Sequence, residues 1–120
     1  ARAAPPAVPQ LRGLDGGALG SATARPTGVP TATFTTRHGK GSSRYTHVAH
    51  VIEVELLQCV PTVDSVKLSR LRIHNRSGRT RRLSITAYVE WALGPNGPVP
   101  ATYVVTSQDA VTVALFARNA

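Results

Sequence analysis

Alternation with a period of two constrains this fold more than any single motif. Leu71 and Ile73 alternate with Arg70, Arg72 and His74, and Leu83, Ile85, Ala87, Val89 and Trp91 alternate with Ser84, Thr86, Tyr88 and Glu90. Side chains two apart on an extended chain share a face, so each run reads as a strand with one side turned to a core and one to water. Between the two runs stands Arg76-Ser-Gly-Arg79, and a Ser-Gly turn flanked by amphipathic strands predicts a hairpin over 66–91. Upstream, 45–60 reads as one long half-buried strand, with Val48, Ile52, Val54 and Leu56 on one face and His47, Glu53 and Glu55 on the other, until Pro61 stops it. Thr33-Phe-Thr-Thr-Arg37 is a shorter β-rich stretch closed by Gly39-Lys-Gly41. Beyond the Gly-Pro-Asn-Gly-Pro loop at 94–98, Tyr103-Val-Val-Thr106 and the apolar run 111–116 predict a second hairpin around Ser107-Gln-Asp-Ala110. Five or six strands without an amphipathic helix give an all-β chain, an antiparallel β-sandwich or half of a larger one.

Residues 1–32 lack this texture. Five of the nine prolines and five of the ten glycines fall there, so 1–32 is expected to be linker or loop and 33–120 the folded domain. A chain of 120 residues buries roughly two-thirds of its unfolded surface, enough for one core and too little for a second catalytic domain. The hydrophobic share of 42% is too high for a chain without a fold. No apolar run approaches the roughly 20 residues of a membrane span, and ARAAPPAVPQ does not read as a secretory signal. The first residue is alanine and methionine is absent, so the sequence reads as a piece of something longer.

Chemistry is sparse. The one cysteine, Cys59, has no internal partner, which favours a reducing compartment, and the four histidines show no metal-ligand spacing. Neither a metal nor a cofactor is expected. Glu53 and Glu55 share a strand face, side by side rather than across a substrate, so they read as a solvated face and not as an acid/base pair. No GxSxG elbow accompanies Ser42, Ser43, His38 or His47, and no catalytic residue is assigned. Arg76, Arg79, Arg81 and Arg82 make a positive tip within a formal charge of +8. Charge alone, without an aromatic pair beside it, supports solubility or interdomain contact better than nucleic-acid binding. Asn75-Arg-Ser77 matches a glycosylation sequon and reads as turn chemistry.

Several stretches carry a resemblance: Arg37-His-Gly-Lys-Gly-Ser-Ser-Arg-Tyr45, His47-Val-Ala-His50, Asp64-Ser-Val-Lys67, Asn75-Arg-Ser-Gly-Arg79 and, above all, Thr86-Ala-Tyr-Val-Glu-Trp-Ala-Leu-Gly94. In order and spacing over about 33–120, they resemble the amino-terminal β-domain of the family 94 glycoside phosphorylases, and within it the phosphorylase-like part of cyclic β-1,2-glucan synthases. Lys40, Ser42 and Cys59 stand where that family is expected to carry larger or aromatic residues. The resemblance implies a portion of a β-supersandwich, of the galactose-mutarotase-like kind, that precedes an (α/α)6 barrel. That barrel supplies the acid and the phosphate-binding groups, so none of them is carried onto this chain. The implied role is non-catalytic: contact with a β-glucan oligosaccharide, packing on the barrel and homodimer contact. The implied setting is the bacterial cytoplasm, with the parent attached to the inner membrane through a separate region.

Six residues are the candidates for substrate or interdomain contact: Arg37, His38, Tyr45, Tyr88, Glu90 and Trp91. Tyr45, Tyr88, Trp91 and Tyr103 offer π-faces to a pyranose, although Trp91 shares the phase of Leu83, Ile85 and Val89 and so reads as core. Arg37 and His38 are expected in a Gly-rich loop, from which side chains reach a neighbour. The competing class is a free-standing basic module that binds nucleic acid or another polyanion.

Overall fold

A computed structural model describes residues 8–14, 19–23, 33–89, 91 and 104–119, without the side chains of Val8, Leu19 and Asn119. The described residues form nine strands and no helix: β1 (Val8–Gly13), β2 (Leu19–Ser21), β3 (Phe34–Gly39), β4 (Ser42–Ala49), β5 (Ile52–Cys59), β6 (Leu68–Asn75), β7 (Leu83–Tyr88), β8 (Val104–Gln108) and β9 (Leu115–Asn119). All pairings are antiparallel. The chain divides into two compact units, Val8–Tyr88 and the remainder.

The larger unit holds two sheets, β2-β1-β7 and β3-β4-β5-β6. Leu11 of β1 and Ala22, just after β2, are buried with Val54 and Leu56 of β5 in one cluster, so the two sheets share a core. Tyr45, Ile52, Leu71 and Ile73 pack around it. The sandwich is therefore observed, and two of its strands come from the segment expected to be linker. Prolines misdirect the reading of that segment: Pro9 lies inside β1, and its carbonyl still accepts the Ala22 amide at 3.1 Å.

The expected long strand over 45–60 is two strands. His50 and Val51, with φ of 50° and 63°, make a two-residue turn between β4 and β5. Positive φ at both central positions is the type I′ hairpin, whose twist matches the strands it joins. Asn and Gly ordinarily fill it; a β-branched residue there is strained, which is why the sequence hides the turn. The loop that follows β6 clasps it: the Arg76 amide donates to the Val51 carbonyl at 2.9 Å and the Arg81 guanidinium donates to the His50 carbonyl at 3.2 Å. His50→Asn with Val51→Gly is expected to raise unfolding stability by about 1 kcal/mol, read as a higher denaturant midpoint at unchanged slope.

Because the turn holds two residues, odd positions of β4 share a face with even positions of β5: His47 lies opposite Val54 and Tyr45 opposite Leu56, whereas Val48 lies opposite Glu53. The expected faces of β4 are thus reversed, with His47 buried and Val48 exposed.

The hairpin expected over 66–91 is not one. β6 pairs with β5 and β7 pairs with β1, so the 76–82 connection passes from one sheet to the other. Asn75 builds its corner. Its Oδ1 accepts from the Ser77 amide at 3.0 Å and the Ser77 hydroxyl at 2.6 Å, and its Nδ2 donates to the Arg79 carbonyl at 2.8 Å, the Asx-turn chemistry that the sequon spacing suggested.

In the smaller unit β8 and β9 form the second expected hairpin, with the turn at 109–114 rather than 107–110. Asp109 shifts it. Its carboxylate accepts from the Thr112 hydroxyl and the Thr112 amide, which together hold that carboxyl below its ordinary range.

Candidate functional site

Register fixes which side chains of the four-stranded sheet meet. On the core-facing side, rows run straight across β3, β4, β5 and β6: Phe34, His47, Val54 and Ile73; then Thr36, Tyr45, Leu56 and Leu71; then His38, Ser43, Gln58 and Ser69. The third row is polar on every strand. His38 Nδ1 lies 2.9 Å from Ser43 Oγ, and Gln58 Nε2 donates to Ser69 Oγ at 3.4 Å. Gln58 is buried, and a hollow of about 340 Å³ opens here, lined among others by His38, Ser43, Gln58, Cys59 and Lys67. Gly41 lets the chain turn at its edge: φ is +67°, and a Cβ would stand 3.1 Å from the Val60 carbonyl oxygen. The His38 and Tyr45 rings meet edge to face at 6.3 Å, which ties the polar row to the row behind it.

The opposite face of this sheet is charged. Glu55, its side chain 16% exposed, lies between Arg44 at 3.5 Å and Arg70 at 3.6 Å. Glu53 meets Arg76 at 2.6 Å and His74 at 3.7 Å. The two carboxylates do share a face, and arginines engage both. Arg76 and Arg81 of the positive tip likewise serve the fold, through Glu53 and the His50 carbonyl. Arg37 is directly opposite Arg44, an arrangement of like charges that costs stability.

Among the described sequence candidates of the larger unit, the structure brings together His38 and Tyr45. Arg37 and His38 are not in a loop: both lie in β3, whose alternation sends Arg37 to the charged face and His38 to the polar row. Tyr88 ends β7, exposed, opposite Val8 and out of phase with the core residue Leu11. Trp91 lies past the end of β7 and is half-buried; Ile85, of the same phase, lies opposite the core residue Leu11 yet is 54% exposed. Glu90 and Tyr103 lie outside the described residues. Gln58 and Ser69 escape a reading of the sequence because nothing local marks them; they join Ser43 only through pairings 15 and 11 residues apart.

Buried His47 stacks on Phe34 with ring centroids 4.7 Å apart, and among the described residues its Nδ1 has no hydrogen-bond partner. Burial pushes its pKa below the ordinary histidine value.

Residues 10–120 match the family model of the glycosyl hydrolase 94 supersandwich domain. Over 88 residues the chain is 39% identical to the cyclic beta-(1,2)-glucan synthase NdvB of Rhizobium meliloti (strain 1021). That stretch covers 73% of this chain and 3% of the relative, so the chain spans a small part of the relative's length. The two-sheet antiparallel fold, the match over nearly all of the sequence and the kinship with a glucan synthase agree: this chain belongs to the glycosyl hydrolase 94 supersandwich-domain family.

Proposed function

We propose that the chain is a non-catalytic segment of a cyclic β-1,2-glucan synthase-like glycosyltransferase or inverting glycoside phosphorylase, where it contacts the glucan and packs on a catalytic barrel. The observation that carries this reading is the family match over 10–120, joined to the kinship with a cyclic beta-(1,2)-glucan synthase. Two features support it. Glu53 and Glu55 are occupied by arginines rather than poised across a cleft, and Ile85 and Leu68 leave apolar surface open to a further domain or a second copy. The free Cys59 suits a cytoplasmic setting. The test is turnover: incubated with β-1,2-gluco-oligosaccharides and phosphate, the purified chain should form no glucose 1-phosphate. Turnover that persists on repurification and disappears in Glu53→Gln or Glu55→Gln would overturn the non-catalytic reading.

The Arg37–Arg44 pair favours a second reading, a surface for a polyanion. Oligonucleotide affinity that falls steeply with salt, on the order of one decade per few-fold rise, would establish it.

A further inference from the structure

We propose that the hollow at the polar row, lined by His38, Ser43 and Gln58, with Ser69 bonded behind Gln58 and Lys67 at the rim, holds one uncharged hexose ring of a glucan. This inference rests on the carbohydrate reading above and gives it a place. The row is continuous in register, and it lies beside two rows that are otherwise mostly apolar. Gln58 is buried at the middle of the row, with Ser43 half-buried beside it and His38 and Ser69 exposed at the two ends; burying a carboxamide there is costly unless hydrogen bonds satisfy it, and Ser69 supplies one.

The chemistry of the row selects the ligand. Serine hydroxyls and a carboxamide each both donate and accept, as every sugar hydroxyl does, and the imidazole adds two ring nitrogens. An anion needs donors alone, and Lys67 is the sole fixed cation among the five groups. Adjacent strands stand about 4.8 Å apart, so neighbouring members of the row reach different hydroxyls of one ring. A hollow of about 340 Å³ lies within the range of small-ligand sites, roughly 300–1,000 Å³, and the rings of His38 and Tyr45 beside it supply apolar edges. Arg37 faces the other side of the sheet and has no part in this site.

Cys59 lines the same hollow and is the chain's one thiol, so its alkylation rate reports occupancy independently of the ring contacts. The experiment titrates the isotopically labelled chain with linear β-1,2-gluco-oligosaccharides, following backbone amide shifts and the rate of Cys59 alkylation. Shifts centred on residues 38, 43, 58 and 69, slower alkylation with the same midpoint, and a loss of about tenfold in affinity for Ser43→Ala or His38→Ala are expected. Unchanged Val54 and Leu56 amide signals certify each variant's fold, and Lys67→Ala, at an exposed position, serves if Ser43→Ala unfolds. Shifts at Arg37, Tyr88 or Trp91 with a silent row would overturn this site and leave the carbohydrate reading standing. Inorganic phosphate matching the sugar's effect would overturn the ligand class. No response to any oligosaccharide would overturn the carbohydrate reading and this site with it.

Discussion

Leu56→Ala is expected to remove about 2–5 kcal/mol of unfolding free energy, the range found when a fully buried leucine is truncated in a core that cannot collapse around the gap. Leu56 has no exposed surface and sits in a cluster whose buried apolar members, among the described residues, are Leu11, Ala22, Val54 and Leu56 itself. Small domains have about 5–15 kcal/mol in all, so the variant should be partly unfolded at rest. Leu57→Ala is the control. Leu57 points to the charged face, opposite Arg44 and Arg70, and its truncation should cost well under half as much. Urea denaturation of the two variants measures the difference; a larger loss for Leu57→Ala would show that β5 is out of register by one residue, since a slip of one exchanges the two faces.

His47→Phe is expected to stabilise the chain by about 1 kcal/mol or more, since a buried ring nitrogen without a partner among the described residues costs about 1–3 kcal/mol and a benzene ring preserves the stack on Phe34. The variant also isolates a pH effect. With its folded pKa lowered by burial, His47 binds a proton more readily in the unfolded chain, so its share of stability is complete above about pH 6.5 and is lost as pH falls through that value towards the folded one. Its neighbours on that face, Phe34 of β3, Tyr45 of β4 and Val54 of β5, carry no carboxylate. Denaturant midpoints at pH 7.5 and 5.5 should therefore diverge more in the parent chain than in His47→Phe. Equal divergence would place the acid sensitivity elsewhere.

The class of the fold is legible in the sequence because period-two alternation reports a half-buried sheet wherever it occurs. Its pairing is not. The alternation of β6 and β7 says that each has a wet and a dry side, but nothing in Arg76-Ser-Gly-Arg79 says whether the chain returns alongside β6 or crosses to the other sheet; Asn75 and Ser77 decide that through side-chain bonds to the loop backbone. The turn at His50 and Val51 is hidden for a different reason. Local propensity argues against φ > 0 at valine, and the clasp from Arg76 and Arg81 comes from residues 25 to 31 positions away. Leu11 is likewise lost among prolines and glycines until β7 arrives beside it. The candidate site follows the same logic. His38 and Tyr45 are visible as an aromatic and a polar residue in one motif, whereas Gln58 and Ser69 gain meaning only once two hairpin registers are known.

The crossing from β6 to β7 also sets an order of events. The four-stranded sheet is a meander in which each strand pairs with the next along the chain, so it assembles through short loops. The other sheet closes through β1 and β7, with Leu11 opposite Ile85, 85 − 11 = 74 positions apart. Loop entropy makes such a contact late, and non-local pairing makes it slow. On a ribosome, β1 and β2 emerge first yet find their partner strand last, after the meander has formed. Until then Leu11 and Ala22 have only the exposed inner rows of that meander to settle against, which makes the meander the template on which the amino-terminal strands are ordered.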